Sequence, residues 1–319
     1  MSLAALKDRL REKLPVPDVE IPPTGQLVEL PGRGTTYLTD IPGPPGAPTI
    51  VLLHAVGCTG MLTWFTAVAA LAEEYRVVVF DQRWHGRGIQ SEHFVLQDCA
   101  DDVAAVLDLL EIDRALITGY SMGSIIAQRV WRQHPDRVAG LVLCATTPHF
   151  RSTLHERAFH QGLEVAMGLA RQLSFARTVV NAARSTARAL DADRLDLTQW
   201  ALREFRSTSP WAVAQAVAAL GRHHSRPWLH LIDVPTAVVV TAHDRVIPAS
   251  RQRALASAIP AATMHEVPIG HAGIAFGHEE FLEGLLDAVH SVEGRARVAG
   301  LLPPRRRRPR SRSHLRAAP

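Results

Sequence analysis

The chain has 319 residues, 47% of them hydrophobic, a composition that suits one large α/β domain with an insertion and excludes a disordered or fibrous protein. Its longest apolar runs fall far short of the roughly 20 residues that a membrane-spanning helix needs, and Met1–Leu14 lacks the apolar centre of a signal peptide. The formal charge of +4 at pH 7 is uneven, because seven arginines fall in residues 301–319 and leave residues 1–300 with −3.

The cysteine and arginine content bears on the source of the chain. Cys58, Cys99 and Cys144 form no close C-x-x-C pair, which favours neither a disulfide framework nor a zinc ribbon. Of the 35 basic residues 33 are arginine, a bias that a GC-rich bacterial genome explains better than a chemical need for planar donors. We therefore expect a soluble, cytoplasmic, bacterial protein.

The first predicted segment, residues 1–25, is an N-terminal arm in which a short helix over Leu3–Leu14 precedes a proline-rich stretch. Eight strands follow in chain order. They are Gln26–Leu30, Thr35–Thr39, Thr49–Leu53, Arg76–Phe80, Ala115–Thr118, Val138–Ala145, Ala237–Thr241 and Thr263–Pro268. The third of these strands is wholly apolar, which is typical of a strand in the middle of a sheet.

Helical patterning separates the strands and predicts a mostly parallel eight-stranded sheet that helices cover on both faces, the α/β class. The predicted helices of this core are Leu62–Glu74, Gln97–Leu110, Ser124–Arg132, Ala249–Ile259 and Ile274–Val289. The core comprises residues 26–146 and 232–292.

Residues 147–231 interrupt the alternation, because helical periodicity alone occurs between the sixth and seventh strands. The predicted helices of this all-helical insertion are Glu156–Leu169, Leu173–Leu190, Leu195–Arg206 and Pro210–Leu220. Beyond the core, residues 293–319 are rich in Arg, Pro and Ser and predict a disordered tail. These arginines are more simply interpreted as a solvated tail than as a contact to a polyanion, so no specific nucleic-acid partner is predicted.

A G-x-S-x-G motif occurs at Gly119–Gly123, directly after one predicted strand and directly before a helix. A tight strand-to-helix turn raises the Ser121 hydroxyl above the sheet, and glycines on either side avoid clashes at that turn. The helix N-terminus adds N–H groups and a field that favours developing negative charge. Ser121 is therefore the candidate nucleophile, and it needs a base and an acid that usually follow it in the chain.

His271 is the candidate base, because it follows the last predicted strand among small residues in Ile269–Gly273. Of its competitors, His265 lies within a predicted strand, His278 and His290 lie within a predicted helix, and His223, His224 and His230 lie at the end of the insertion. Asp244 is the candidate acid, since it follows the seventh strand at the edge from which His271 can be reached. The alternative interpretations are a surface or helix-start histidine and a turn or helix-capping aspartate. No carboxylate occurs in Thr146–His149, where an acid after the sixth strand would lie.

These residues together resemble the α/β-hydrolase superfamily, in particular its group with a helical lid that includes esterases, lactonases and carbon–carbon bond hydrolases. The resemblance covers about residues 26–290. Leu52–Gly57 with Trp64 is similar to the family's His-Gly loop, and Asp81–Gly88 is similar to its Asp-x-Arg-Gly-x-Gly stretch. Ala55 and Trp84 depart from the pattern, because each stands where the family usually has glycine; we expect a shifted backbone at Ala55 and a narrower pocket near Trp84.

The resemblance implies that the backbone N–H groups of Val56 and Met122 form an oxyanion hole and that the insertion is a lid. Apolar side chains of the insertion are candidates for lining the substrate pocket or, more simply, for the core of the lid. They are Phe159, Leu163, Met167, Phe175, Trp200 and Trp211. We interpret His54 as packing beneath the oxyanion loop and Arg83 as pairing with Asp101 or Asp102, rather than as catalytic groups.

The predicted function is cleavage of a small carboxylic ester or lactone through an acyl-enzyme intermediate. Thioester hydrolysis, carbon–carbon bond hydrolysis and cofactor-free peroxidase chemistry are alternatives on the same triad, and a weakly catalytic ligand-binding protein is the alternative from another class. No nucleotide loop or clustered metal ligands occur in a suitable context, so no cofactor and no metal are predicted. The sequence specifies no oligomeric state.

Overall fold

The computed structural model describes residue 19, residues 21–172 and residues 196–304. In these parts of the chain, eight strands form one sheet in the order β1-β2-β4-β3-β5-β6-β7-β8. The strands are β1 Gln26–Leu30, β2 Gly34–Ile41, β3 Thr49–Leu53, β4 Arg76–Phe80, β5 Ala115–Tyr120, β6 Val138–Cys144, β7 Thr236–Thr241 and β8 Thr263–Val267. Strand β2 pairs antiparallel with β1 and β4, and all other pairings are parallel. The predicted α/β class and the eight-stranded sheet are confirmed.

Helices connect and cover the strands. They are α1 Gly60–Trp64, α2 Val68–Ala72, α3 Leu96–Leu109, α4 Met122–Gln133, α5 Leu154–Gln172, α6 Leu197–Arg206, α7 Pro210–Gly221, α8 Ala249–Ala258, α9 Gly273–Phe276 and α10 His278–Val298. None of the helices in the described ranges combines the length and the apolar character that crossing a bilayer requires.

The centre of the sheet is apolar on both faces because helices pack against both. Every residue of β3, β5, β6 and β7 is buried. Along β3 the side chains alternate, so that Ile50 and Leu52 join the hydrophobic cluster with α1 and α10, whereas Val51 and Leu53 join the one with α3 and α4. Burial on both faces is what a wholly apolar strand predicts.

The single helix predicted over Leu62–Glu74 is wrong, because the chain forms the two short helices α1 and α2 there. Thr59 caps α1 by accepting a hydrogen bond from the Leu62 N–H at 3.1 Å. Between the helices, the Thr66 hydroxyl donates to the carbonyl of Ile274 at 3.0 Å. This tertiary contact lies 208 residues away in the chain, so local periodicity does not reveal the break.

The last helix continues further than predicted. Helix α10 ends at Val298, and Val292 and Ala296 are completely buried in its last turns. The Glu293 carboxylate accepts hydrogen bonds from the Tyr75 hydroxyl at 2.7 Å and from Arg297 at 2.8 Å. The prediction of a disordered tail is therefore wrong for residues 293–304, because the apolar face of α10 continues through this arginine-containing segment. Residues 305–319 lie outside the described residues.

Helices α5, α6 and α7 lie between β6 and β7, where helical periodicity predicts the insertion. The predicted helices Leu3–Leu14 and Leu173–Leu190 lie outside the described residues. Helix α6 contacts the core directly: the ring of Trp200 packs on Phe65 at 5.5 Å between centroids. The division of the chain into arm, core and lid stays a prediction.

Substitution of a buried residue of α10 tests how much this helix contributes to the fold. Leu285 is fully buried, so Leu285→Ala removes apolar contacts and leaves a cavity that should lower the free energy of unfolding by about 2–5 kcal/mol. Val298 at the end of the same helix is 92% exposed, and Val298→Ala should change it by less than about 0.5 kcal/mol. Urea unfolding of both variants measures the difference, and equal losses would contradict the packing described.

Candidate active site

Ser121 occupies the turn between β5 and α4 at the centre of the sheet. Its backbone has φ 53° and ψ −112°, a conformation that residues with a side chain rarely adopt. The Ser121 N–H donates to the carbonyl of Cys144 at 2.9 Å, which fixes the turn against the end of β6. The hydroxyl thus stands at the carboxyl edge of the parallel strands, where sites of open α/β sheets form.

The glycines of the motif are required by close backbone contacts. A Cβ at Gly119 would overlap the backbone of Gly123 and Ser124, and a Cβ at Gly123 would overlap the carbonyl of Leu53 in β3. The Ser124 hydroxyl completes the turn, since it donates to the Gly119 carbonyl at 2.6 Å and accepts from the Cys144 N–H at 2.9 Å. The pattern of residues around Ser121 therefore follows from how tightly β3, β5 and α4 approach one another.

His271 lies in the loop between β8 and α9, and its imidazole faces Ser121. The His271 Nε2 atom is 3.0 Å from Ser121 Oγ, and Nδ1 is 2.7 Å from Asp244 Oδ2. The Tyr120 hydroxyl, from the residue next to Ser121, donates to the backbone carbonyl of His271 at 2.8 Å. The structure thus brings the three predicted triad residues together, and the end of β5 holds the histidine loop as well as the serine.

Asp244 follows β7, and its carboxylate has four close hydrogen-bond partners and a longer contact to Gln252 Nε2 at 3.4 Å. Oδ1 accepts from the N–H groups of Val246 and Ile247, both at 2.8 Å. Oδ2 accepts from the Thr241 hydroxyl at 2.8 Å and faces His271 Nδ1. Burial by itself raises the pKa of the Asp244 carboxyl, but the hydrogen bonds from His271, Ile247 and Thr241 outweigh it and hold the pKa below its usual 3.8. The acid is therefore ionised at neutral pH.

The loops that carry the acid and the histidine are tied together through the backbone. The Ala242 N–H donates to the carbonyl of Val267 at 2.8 Å, and the His243 N–H donates to the carbonyl of Ile269 at 2.9 Å. These bonds prolong the pairing of β7 and β8 beyond the last ladder pair, Thr241 and Val267. The distance between Asp244 and His271 is consequently set by the sheet itself.

Val56 and Met122, the predicted oxyanion donors, lie in the loop after β3 and at the first position of α4. Within the described residues, neither backbone N–H donates to another group. The loop around Val56 is ordered by the Ala55 N–H, which donates to the Thr63 hydroxyl at 3.2 Å. Two unused amides after β3 and β5, which are adjacent strands, are consistent with the predicted oxyanion hole, which stays a prediction.

The interpretations of His54 and Arg83 as structural residues agree with their contacts. His54 is completely buried, accepts from the Gln82 N–H at 2.9 Å and has its pKa lowered to about 4 by that burial. Arg83 forms a pair of hydrogen bonds to the Asp102 carboxylate, at 2.6 and 2.9 Å. Both side chains thus hold the loops behind the site.

The two departures from the family pattern are accommodated differently. Trp84 adopts the left-handed conformation that glycine favours, with φ 64°, at a cost of about 1–2 kcal/mol. Its indole N–H donates to the Ser91 carbonyl at 3.2 Å, and its ring packs against Phe94. Ala55 keeps a negative φ, whereas Gly57 takes the left-handed conformation in the same loop. The indole turns towards Ser91 and Phe94. The expected narrowing of the pocket near Trp84 stays a prediction.

Sequence reasoning missed a buried charge cluster between α6 and the loop after β4. The Arg87 guanidinium pairs with Asp81 at 3.4 Å and with Glu204 of α6 at 2.8 Å, and it lies 3.6 Å above the ring of Tyr37. The Thr208 hydroxyl also accepts from the Gly86 N–H at 3.0 Å. Burial raises the pKa values of Asp81 and Glu204. Arg87 and Glu204 are 117 residues apart in the chain, so no local pattern indicates that they meet.

The predicted lining residues of the insertion occupy different environments. Trp200 is buried against Phe65, whereas the Phe159 side chain is exposed and Phe175 lies outside the described residues. Met167 opens on a cavity of about 280 Å³ between α5 and α7, which Glu164 also lines and no triad residue reaches. In the described ranges no group of three His, Cys, Asp or Glu side chains is arranged to hold a metal ion.

Comparison with known proteins agrees with this architecture. The model of the family described as the alpha/beta hydrolase fold matches residues 48–277, which include Ser121, Asp244 and His271. The 3-oxoadipate enol-lactonase 1 of Acinetobacter baylyi is 29% identical over 67% of this chain and 78% of its own length. The pimeloyl-[acyl-carrier protein] methyl ester esterase of Chromobacterium violaceum is 28% identical over 75% of this chain and 93% of its own.

A solved structure repeats the same arrangement of helices and strands. The enol-lactonase from Burkholderia xenovorans LB400 superposes with a TM-score of 0.63 at 22% identity, over 83% of this chain and all of that one. At this level of identity the likeness concerns the fold.

The lowered pKa of Asp244 predicts how the free energy of unfolding changes at acid pH. Its ionised form stabilises the fold fully above the unfolded pKa of 3.8, and this contribution is lost as the pH falls through the lower folded value. The deficit in unfolding free energy of Asp244→Asn should therefore be largest near neutral pH and shrink below pH 3.8. Urea unfolding of wild type and variant at several pH values measures it, and a deficit that grew towards acid would contradict the assignment.

Proposed function

Because the chain belongs to the α/β-hydrolase family, we propose that it is a serine hydrolase that cleaves a carboxylic ester or a lactone through an acyl-enzyme intermediate. The observation that carries the proposal is the pair of contacts made by His271, at 3.0 Å to Ser121 Oγ and 2.7 Å to Asp244 Oδ2. This is the geometry in which a neutral serine becomes a nucleophile.

Asp244 keeps the proton of the imidazole on Nδ1, so that Nε2 of His271 is free to accept the hydroxyl proton. As that proton leaves, Ser121 Oγ attacks the carbonyl carbon of the substrate and a tetrahedral oxyanion forms. The ionised Asp244 then stabilises the protonated imidazole at 2.7 Å. The buried Asp244 carboxylate therefore stabilises the positive charge that develops on the imidazole of His271.

The backbone N–H groups of Val56 and Met122 donate hydrogen bonds to the oxyanion of the tetrahedral species. One such donor contributes about 3–4 kcal/mol at the transition state of acyl transfer. The positive end of α4 adds to the same field, because Ser121 precedes its first residue. Collapse of the tetrahedral species expels the alcohol with the proton from His271, and a water activated by the same histidine releases the acid.

The names of two relatives, a lactonase and a methyl ester esterase, favour an ester or a lactone as substrate. Both names describe attack on an oxygen ester, and neither specifies the substrate of this chain. The apolar character of the insertion, including Trp200 and Trp211, suits a small molecule with apolar substituents.

Labelling with a fluorophosphonate probe tests the activated serine. We expect the wild type to be labelled and to hydrolyse p-nitrophenyl esters, whereas Ser121→Ala should lose both, because no other hydroxyl lies within reach of His271 Nε2 in the described structure. Ser291→Ala removes a hydroxyl of α10 and should leave labelling and turnover intact.

Wild type that resists the probe would contradict the activated nucleophile and favour a ligand-binding protein instead. Labelled protein that turns over thioesters or carbon–carbon substrates but no oxygen ester would keep the nucleophile and overturn the substrate class.

The helical insertion serves as the lid over this site, and the charge cluster of Asp81, Arg87 and Glu204 holds it in place. Supporting contacts reach the loops beside Ser121: Val213 of α7 stands over Gly57, where an added Cβ would lie 3.5 Å from its side chain. The Glu204 side chain is almost completely buried, whereas that of Arg87 is 35% exposed, so solvent screens their pairing only in part. Positions of α6 and α7 therefore determine the room above the oxyanion loop.

Removal of one charge should loosen the lid. Glu204→Gln keeps the shape of the side chain but weakens the contact with Arg87, and we expect KM for a medium-chain ester to rise about fivefold, the effect of roughly 1 kcal/mol, with little change in kcat. Arg222→Gln is the matched control, since it breaks an exposed ion pair with Glu164 inside the insertion. Equal KM values in the two variants would contradict the tether.

A further inference from the structure

Gln252 of α8 is completely buried, and both ends of its side-chain amide form hydrogen bonds to the segment that carries Asp244. Its Oε1 accepts from the Thr241 N–H at 3.0 Å. Its Nε2 donates to the Ile247 carbonyl at 2.7 Å and to the Thr241 hydroxyl oxygen at 2.8 Å. One side chain therefore brackets the chain on both sides of Asp244.

The orientation of this amide is fixed by backbone groups. A backbone N–H can only donate and a backbone carbonyl can only accept, so Oε1 must face Thr241 and Nε2 must face Ile247. A flipped amide would place two acceptors, or two donors, against each other at both ends. The direction of the second Nε2 proton, towards Thr241 Oγ1, follows from that constraint.

The amide in turn determines the direction of the Thr241 hydroxyl. Since Oγ1 accepts from Gln252, its single proton is left for the 2.8 Å contact with Asp244 Oδ2. That oxygen is the one that faces His271 Nδ1. Loss of the Thr241 donor would leave Oδ2 with the imidazole as its main partner, because the remaining contact to Gln252 is long, at 3.4 Å.

We propose that Gln252 is a positioning residue for the reaction: it directs the Thr241 hydroxyl onto Asp244 and thereby holds the carboxylate that orients His271. This inference rests on the proposed serine hydrolase function. Gln252 acts through two hydrogen bonds in series, from its amide to Thr241 Oγ1 and from the Thr241 hydroxyl to Asp244. Its effect should accordingly appear in the chemical step rather than in substrate binding.

The test compares kcat and KM for a p-nitrophenyl ester in Gln252→Met and Thr241→Val, each of similar size to the residue it replaces. We expect kcat to fall about tenfold in both and KM to stay within about twofold, since a hydrogen bond to a charged group is lost only from the orientation of the triad. Combining the two substitutions should lower kcat no further than either alone, because both interrupt the same relay. Thr241→Ser keeps the hydroxyl and should restore most of the rate.

Thr236→Val is the matched control for a buried threonine at the other end of β7, where the hydroxyl donates to the Val234 carbonyl at 3.0 Å. If Gln252→Met and Thr241→Val lose no more kcat than Thr236→Val, or if their losses add in the double variant, the proposal is overturned. If Gln252→Met does not fold, Gln252→Glu replaces it, because a carboxylate keeps an acceptor for the Thr241 N–H but no amide N–H for the Thr241 hydroxyl, and the same outcomes decide.

A spectroscopic measurement separates this proposal from the proposed function. The low-field NMR resonance of the His271 Nδ1 proton, assigned by its loss in Asp244→Asn, reports the contact with Asp244 whether or not the protein turns over an ester. We expect it to shift in Gln252→Met and to stay in place in Thr236→Val. If the wild type is inactive but the resonance shifts in Gln252→Met, the hydrolase proposal is overturned and the positioning role stands. If the wild type is active but the resonance does not shift in Gln252→Met, the positioning role is overturned and the hydrolase proposal stands.

Discussion

The strained backbone of Ser121 is the constraint on which the rest of the site depends. A serine at φ 53° is held there because Gly119 and Gly123 let β5 and α4 close to backbone contact and because the Ser121 N–H is bonded to Cys144. The turn lies on β5, between β3 and β6 in the middle of the sheet. Loops after β3, β7 and β8 therefore lie at the same edge of the sheet as the hydroxyl, and those after β7 and β8 carry Asp244 and His271.

Three buried carboxylates in this molecule show that the balance between desolvation and donated hydrogen bonds decides the state of an acid. Asp244 is nearly buried, but its hydrogen bonds overcome desolvation and lower its pKa. Asp81 and Glu204 share Arg87, and burial raises the pKa of both. The first arrangement suits an acid that must stay charged beside a histidine, and the second suits a contact between two elements of the fold.

Periodicity and motif spacing predict most of the sheet and all three residues of the candidate triad. Strands β5 and β7 are local apolar runs, β8 continues the alternation of strands and helices, and each triad residue closely follows one of these strands. Contacts between distant segments are not predictable in this way. The relay from Gln252 to Thr241 depends on how α8 packs against β7, and the tether of Glu204 depends on a loop 117 residues earlier. Helix α10 was predicted too short because Gly294 and the arginines conceal the buried face of Val292 and Ala296.

The central claim is that His271 and Asp244 make Ser121 a nucleophile that carries the acyl group. Peptide mapping by mass spectrometry after an acid quench of the protein with p-nitrophenyl acetate tests it most directly. We expect an acetyl group on the peptide that contains Ser121, present in wild type and absent from His271→Ala. Release of nitrophenol with the acetyl group on a different residue, or with equal acetylation of Ser121 in His271→Ala, would contradict it.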